Sequence, residues 1–258
     1  MERENANINI LDVSADHVSE VGIYCIKDKK SQGYDAKVEW VKAKINTGLK
    51  IKIAIDNTGQ QIGFIEYIPS ELAWRPIKAD NFYFIHCIAI FVQDAKGKGI
   101  GSYLIQQCEA DAKKNNKSGI CAMSSDGPWI ANKTLYEKNN FIVTEKLDRF
   151  ELMVKSYDPQ AKSPEFLDWT IEQQKYIGWH LVYSDQCPWH EKSITDIKQS
   201  AADNGIKLTV RKLLTSKEAQ NAPSGFGTFS LIKDGKLLAD HYISRTRFEN
   251  MLKKEKGE

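Results

Sequence analysis

The run "NFYFIHCIAIFV", Asn81 to Val92, constrains the fold more than any other stretch of the chain. Nearly every residue in it is apolar, aromatic or β-branched, so it reads as a strand buried on both faces. It is followed at once by "QDAKGKGIGSYLIQQCEADAKKNN", in which Gly97, Gly99 and Gly101 alternate with Lys98 and Ile100. A helix starts near Ser102, with Leu104, Ile105, Cys108 and Ala112 recurring on one face. A buried strand, a glycine turn and an amphipathic helix in immediate succession read as a chain of the α/β (α+β) class.

Glycine gives up more conformational freedom on folding than any other residue, so three together need a reason. The first turn of a helix leaves backbone N–H groups without partners, and the macrodipole adds partial positive charge there. Glycines let an anion approach those donors closely, and Lys96 and Lys98 add flanking charge. The arrangement suits a phosphate or pyrophosphate. It is neither the P-loop pattern nor the dinucleotide pattern G-x-G-x-x-G, because the spacing here is G-x-G-x-G.

Other segments order themselves around that core. "NINILDVS" (7–14) alternates as a first strand, and a helical region runs from about His17 to Asn46, interrupted near Gly33. "KIKIAID" and "QIGFIEYI" flank the turn "NTGQ" and read as a hairpin. "GICAMSS" (119–125) is a short buried strand, 129–140 a helix, and 141–156 a closing hairpin. "YDPQAKSP" (157–164) holds two prolines and little apolar content, and reads as a linker. The expected domains are therefore 1–156 and 165–258. The second has its own rhythm: an amphipathic lead-in (165–178), a strand (179–184), "DQCPWHEK", a helix (193–204), a strand (207–214) and a short helix (216–221). Two strands joined by "DG" (227–233 and 236–243) and a final helix (245–254) complete it.

Composition excludes several classes. The 258 residues are 41% hydrophobic and 27% charged, with a net charge of +2, so nothing favours nucleic acid or an anionic membrane as partner. No apolar run approaches the ~20 residues needed to span a bilayer, and "MERENANINILDVSADH" lacks an apolar signal core. The five cysteines, Cys25, Cys87, Cys108, Cys121 and Cys187, are scattered with no CxxC pair, as expected of a reduced cytoplasmic protein. No metal site is expected.

The series of buried strand, "KGKGIG", helix, strand and "LYEKNNF" resembles the GNAT acetyltransferase family over roughly Ile8 to Ser156. That family's [RQ]-x-x-G-x-[GA] pattern would fall on Lys96, Gly97, Lys98, Gly99, Ile100 and Gly101, with lysine replacing Arg or Gln and Ser102 opening the helix. The resemblance implies the GNAT fold with a mixed sheet, and acetyl-CoA as co-substrate with its pyrophosphate on this turn. It also implies a pantetheine arm paired like an added strand with Ile88, Ala89 and Ile90. The Ile90–Lys96 segment is one residue longer than the family's V-x-P-x-x-R run and lacks its proline. "ANKTLYEKNNF" resembles the family's A-x-x-x-Y-x-x-x-G-F, which puts Tyr136 beside the CoA sulfur as general acid. Asn140 stands where glycine is usual. The asparagine expected seven residues before the tyrosine is Trp129, with Asn132 nearby as a substitute. The resemblance implies a general base on the strands facing the cofactor, for which the candidates are Glu66 on the returning hairpin strand and His86 on the central strand. The expected acceptor is a small-molecule or peptide amine.

In the second domain the order β-(CPWH)-α-β-α-β-β-α resembles a thioredoxin-like fold, and "GFGTFSLIKDGKLLADHYI" resembles the YoaP-like domain found on some bacterial acetyltransferases. Cys187 would lie at a helix start with His190 on the same turn, a candidate reactive thiol without a second cysteine. Two alternatives to an N-acetyltransferase stay open: a CoA- or thiol-binding sensor without turnover, and a thiol-dependent activity centred on Cys187.

Overall fold

The computed structural model describes residues 8–26 and 28–256. Thirteen strands and eight α-helices are assigned among them, and they fall into two compact units. Of the described residues, the first gathers 8–26, 41–73 and 77–166, and the second gathers 28–40, 74–76 and 167–256.

The first unit is built on a seven-stranded sheet of β1 (Asn9–Asp12), β2 (Lys50–Ile55), β3 (Gln61–Pro69), β5 (Phe82–Ile90), β6 (Gly119–Ser124), β7 (Ile142–Leu147) and β8 (Phe150–Ser156). Their spatial order is β1-β2-β3-β5-β6-β8-β7, and every neighbouring pair is antiparallel except β5 and β6. A two-residue ribbon of β4 (Ile77–Lys78) and β9 (Glu165–Phe166) accompanies the sheet. The centre is buried on both faces: Ile62 to Ile68 of β3 and the whole of β6 are buried, while β7 at the edge alternates between exposed and half-buried.

One parallel pair in an antiparallel sheet requires a crossover, and α3 (Ile100–Lys114) supplies it. Its buried positions are Ile100, Leu104, Ile105, Cys108 and Ala112, the face that the periodicity predicts plus the first residue. They join Ile65, Tyr67, Ile85, Ile88, Ile120, Tyr136 and Phe141 in one apolar cluster. Each fully buried aliphatic side chain contributes about 1.5–3 kcal/mol by leaving water. A polar clasp fixes the far end of α3. Asp111 accepts from Tyr67 Oη at 2.5 Å and Lys50 Nζ at 3.0 Å, with Lys52 Nζ at 3.5 Å. Burial alone would raise the Asp111 pKa; the Tyr67 and Lys50 bonds outweigh it and hold the carboxyl below its ordinary value.

Two helices are shorter than the sequence suggests. The helical region 17–46 resolves into α1 (Val18–Val21) and α2 (Tyr34–Ile45). The segment 129–140 contributes only α4 (Lys133–Glu137). There Asn132 caps the helix, accepting from Thr134 N at 2.9 Å, so the residues before it form an irregular loop. Asn140, at φ 63°, takes the left-handed conformation after α4, which asparagine tolerates.

The second unit has a four-stranded sheet of β10 (Trp179–Tyr183), β11 (Leu208–Lys212), β12 (Phe229–Lys233) and β13 (Lys236–Ala239), in the order β11-β10-β12-β13. Only β10 and β11 are parallel. The unit also holds α5 (Trp169–Gln173), α6 (His190–Asp203), α7 (Ser216–Gln220) and α8 (Arg245–Lys256), with α6 packed on α8. Thr215 and Glu218 form a capping box at α7.

Candidate active site

The ladder between β5 and β6 is short. It runs from Phe82–Gly119 to Ile85–Ala122, although β5 continues to Ile90 and β6 to Ser124. Past Ile85 the two strands part, and β5 becomes less buried: Cys87, Ala89 and Ile90 are half-buried. On its other side β5 stays paired with β3 through Ile90–Gly63. A bulge lies in that pairing. Glu66 faces Cys87 and Tyr67 faces Ile85, so His86 is the extra residue. The strands therefore open at the place where β5 is kinked.

The segment beyond β5 leads straight into the glycine turn. Gly97 and Gly99 have φ of 76° and 85°, conformations that other residues enter only at a cost, and a Cβ at either would meet nothing within 4 Å. Gly99 is the N-cap of α3, and the first helical hydrogen bond runs from Tyr103 N to Gly99 O at 2.9 Å. The amides of Ile100, Gly101 and Ser102 precede it and open the helix. Lys96 and Lys98 are exposed beside them. Gly101 has a different reason for being small: its Cβ would stand 3.1 Å from Leu135 Cδ1. Ser102 Oγ accepts from Asn139 Nδ2 at 3.0 Å, and the same amide donates to Leu135 O at 2.8 Å, tying the turn to α4.

Tyr136 of α4 is buried in the cluster that contains Ile88, Ile100 and Leu104, with its ring edge-on to Phe141 at 5.3 Å. Burial, and then the nearby Cys87 and Cys108 sulfurs, push its pKa above the ordinary phenol value, so it keeps its proton at neutral pH.

Glu66 is buried, as is His86, whose Nδ1 lies 3.3 Å from Glu66 Oε1. Tyr24 Oη donates to Glu66 Oε2, a bond between residues 42 positions apart. Burial and then the Glu66 charge keep the Tyr24 phenol protonated. The structure thus joins Glu66 and His86, the two candidate bases, with a third residue that the sequence did not single out. Tyr24 sits between α1 and α2 in a stretch with no motif. Asn139 was missed for a different reason: it is one of two adjacent asparagines, and nothing local distinguishes it. Asn132, expected near the cofactor, donates to Asp126 Oδ1 at 2.8 Å while serving as the α4 cap. Cys121 is fully buried, and burial pushes its thiol pKa well above the ordinary value, out of reactive range, as befits a small core residue.

Residues 49–143 match the family described as Acetyltransferase (GNAT) domain. The chain carries a GNAT acetyltransferase domain. Residues 208–250 match the YoaP-like family. A curated relative, the uncharacterized N-acetyltransferase YoaP of Bacillus subtilis (strain 168), is 27% identical over 248 residues, spanning 94% of this chain and 97% of that protein. Among solved structures, a GNAT-family acetyltransferase of Staphylococcus aureus Mu50 aligns with 58% of this chain and 98% of its own, at 18% identity and a TM-score of 0.42. The putative acetyltransferase yncA of Salmonella typhimurium, solved with acetyl-CoA, aligns with 60% of this chain and 97% of its own, at 17% identity and a TM-score of 0.45.

Cys187 and His190 lie in the second unit. Cys187 is half-buried just ahead of α6, whose helix starts at His190, three residues earlier than the spacing suggests. His190 Nδ1 is 3.2 Å from Ser184 O. Burial lowers its pKa to about 3, so the ring is neutral. Among the described residues no group of three or more His, Cys, Asp or Glu side chains is arranged to hold a metal ion, and no helix is long and apolar enough to cross a membrane.

Proposed function

We propose that the GNAT domain transfers the acetyl group of acetyl-CoA to a primary amine by direct attack in a ternary complex. The observation that carries this reading is the parting of β5 from β6 immediately before the glycine turn, with Tyr136 in the same apolar cluster. In this reading the amides of Gly99 to Ser102 receive the diphosphate, helped by Lys96 and Lys98. The free edge of Ile88, Ala89 and Ile90 pairs with the pantetheine arm and brings the thioester toward the His86 bulge.

The chemistry follows from the groups gathered there. An ammonium is not a nucleophile, so the incoming amine must lose a proton. Glu66, buried and held by Tyr24, takes that role directly or through water, and His86 orients its carboxylate. The amine nitrogen bonds to the thioester carbon, and strand N–H groups hold the oxyanion as it forms. When the C–S bond breaks, the sulfur leaves as thiolate. Tyr136, kept protonated by its burial, donates to it.

For the second unit we favour a thioredoxin-like description. The strand order with a single parallel pair, and the helix that follows β10, support it.

The deciding assay measures release of CoA thiol from acetyl-CoA with a panel of primary amines, for the native protein and for Tyr136→Phe. Turnover with at least one amine is expected. The phenylalanine variant should lose about 10²–10⁴-fold in kcat while keeping its CoA affinity. Tight CoA binding without turnover across the panel would favour a sensor.

A further inference from the structure

Asn139 follows α4 in the chain, and its side chain is buried although it ends in a primary amide. Such a group stays inside a fold when its hydrogen bonds are made there. Asn139 Nδ2 lies 2.8 Å from Leu135 O and 3.0 Å from Ser102 Oγ. A backbone carbonyl can only accept, so the atom facing Leu135 O is the NH₂ group and not the amide oxygen. Its two hydrogens are then divided, one to Leu135 O and one to Ser102 Oγ. Ser102 Oγ is the acceptor in that contact.

Ser102 keeps one hydrogen to give. A helical serine can return its hydroxyl to the carbonyl one turn back, but among the described residues Ser102 Oγ makes no hydrogen bond besides the one from Asn139. Ser102 is the third residue of α3, and helix side chains lean toward the amino end. The half-buried hydroxyl therefore stands beside the amides of Ile100, Gly101 and Ser102, at the turn where a Cβ on Gly97 or Gly99 would meet nothing.

Fastening α4 to α3 does not by itself require Asn139 to reach Ser102. Leu135 already packs against the first turn of α3, where a Cβ on Gly101 would stand 3.1 Å from its Cδ1. The bond to Leu135 O alone would close the end of α4. The second hydrogen of the amide has a separate effect: it fills the acceptor side of Ser102 Oγ and so decides where the hydroxyl hydrogen can point.

We propose that Asn139 is a positioning residue for the diphosphate of CoA, holding Ser102 Oγ so that its hydroxyl hydrogen is presented to a phosphate oxygen beside the amides that open α3. The inference rests on the reading that this turn seats the diphosphate. Asn139 does not touch the ligand. It adds an oriented O–H donor to the backbone N–H donors, and the orientation is set before CoA arrives, so less freedom is lost on binding.

The test is a double-mutant cycle on the full-length protein, with Kd for CoA read by calorimetric titration. Ser102→Ala removes the donor and should weaken CoA about tenfold, the lower end for a hydrogen bond to a charged group. Asn139→Asp keeps the shape but offers only acceptors, so Ser102 must turn its hydrogen toward it. The new charge acts in both backgrounds and cancels in the cycle. Asn139→Asp should therefore cost about tenfold more in the native background than in the Ser102→Ala background. Asn139→Leu, which leaves the hydroxyl to divide itself among three staggered positions, should show the same excess at about threefold. Equal costs in the two backgrounds, with CoA bound by the native protein, would give Asn139 a purely structural role and overturn the inference alone. Unchanged CoA affinity in Ser102→Ala does the same, whether or not the Asn139 variants fold. A native protein that binds no CoA refutes the reading of the turn and takes this inference with it.

Discussion

Gly59 and Gly99 have nearly the same φ, 84° and 85°, and a Cβ at either would meet nothing within 4 Å. Gly59 lies in the turn between β2 and β3; Gly99 opens α3. Alanine at each should therefore cost the fold the same amount, the ~1–2 kcal/mol of a left-handed L-residue. For a chain of this size that lowers Tm by about 2–8 °C. The two variants should differ in one respect. If the diphosphate of CoA fills the open space in front of Gly99, a methyl there displaces it from two or more amides. Charge-assisted hydrogen bonds contribute about 1.5–3 kcal/mol each, so at least about 3 kcal/mol of binding is lost. At 1.4 kcal/mol per decade, Kd for CoA rises about 100-fold or more. Calorimetric titration of CoA into both variants, with thermal melts alongside, measures both quantities. Gly59→Ala should melt like Gly99→Ala and bind like the native protein. Equal CoA affinity in the two variants would refute the assignment of the turn.

Three further outcomes are expected. Glu66→Gln keeps an acceptor for Tyr24 but cannot take a proton, so kcat should fall about 10²–10⁴-fold with CoA affinity unchanged; an unaltered kcat would remove Glu66 from the chemistry. Gly33→Ala forces a methyl to within 2.0 Å of the Pro188 carbonyl, and should destabilise the second unit by about 1–3 kcal/mol in denaturant titration. His190 is held neutral, with a pKa lowered from 6.5 to about 3 by burial, so the unfolded chain binds a proton over that range and the folded one does not. The stability it contributes is full above pH 6.5 and is lost as pH falls toward 3. His190→Gln should flatten that part of the stability–pH curve; an unchanged slope would show that the ring is not neutral.

The segments legible in the sequence are those whose signal is local. The apolar run 81–92, the glycine turn and the 3.6-residue rhythm of Leu104, Cys108 and Ala112 each announce an element within a few residues, and β5, the turn and α3 lie where they indicate. Both hairpins of the first unit are legible for the same reason. Burial of Glu66 is not. It occupies an alternating position between Ile65 and Tyr67, and alternation normally sends such a residue to solvent. The sheet is covered on both faces at β3, which buries both sets of side chains. Tyr24 escapes notice because its partner is remote in sequence. The association of 28–40 and 74–76 with the second unit is likewise a product of tertiary packing, such as the Gly33–Pro188 approach, that no local pattern encodes. The start of α6 at His190 hides behind "CPW", which reads as irregular chain.

The short ladder between β5 and β6 has a consequence for solubility. A strand with one open side is ordinarily a hazard at a sheet's rim, where another polypeptide can zip onto it. Here the open side is an interior seam, flanked by β3 on one hand and by the diverging β6 on the other. A slender extended molecule can slide into such a seam, but the strand of a neighbouring protein would have to bring its own bulk past β6. An edge enclosed between two strands in this way is less open to edge-to-edge association than one at a sheet's rim.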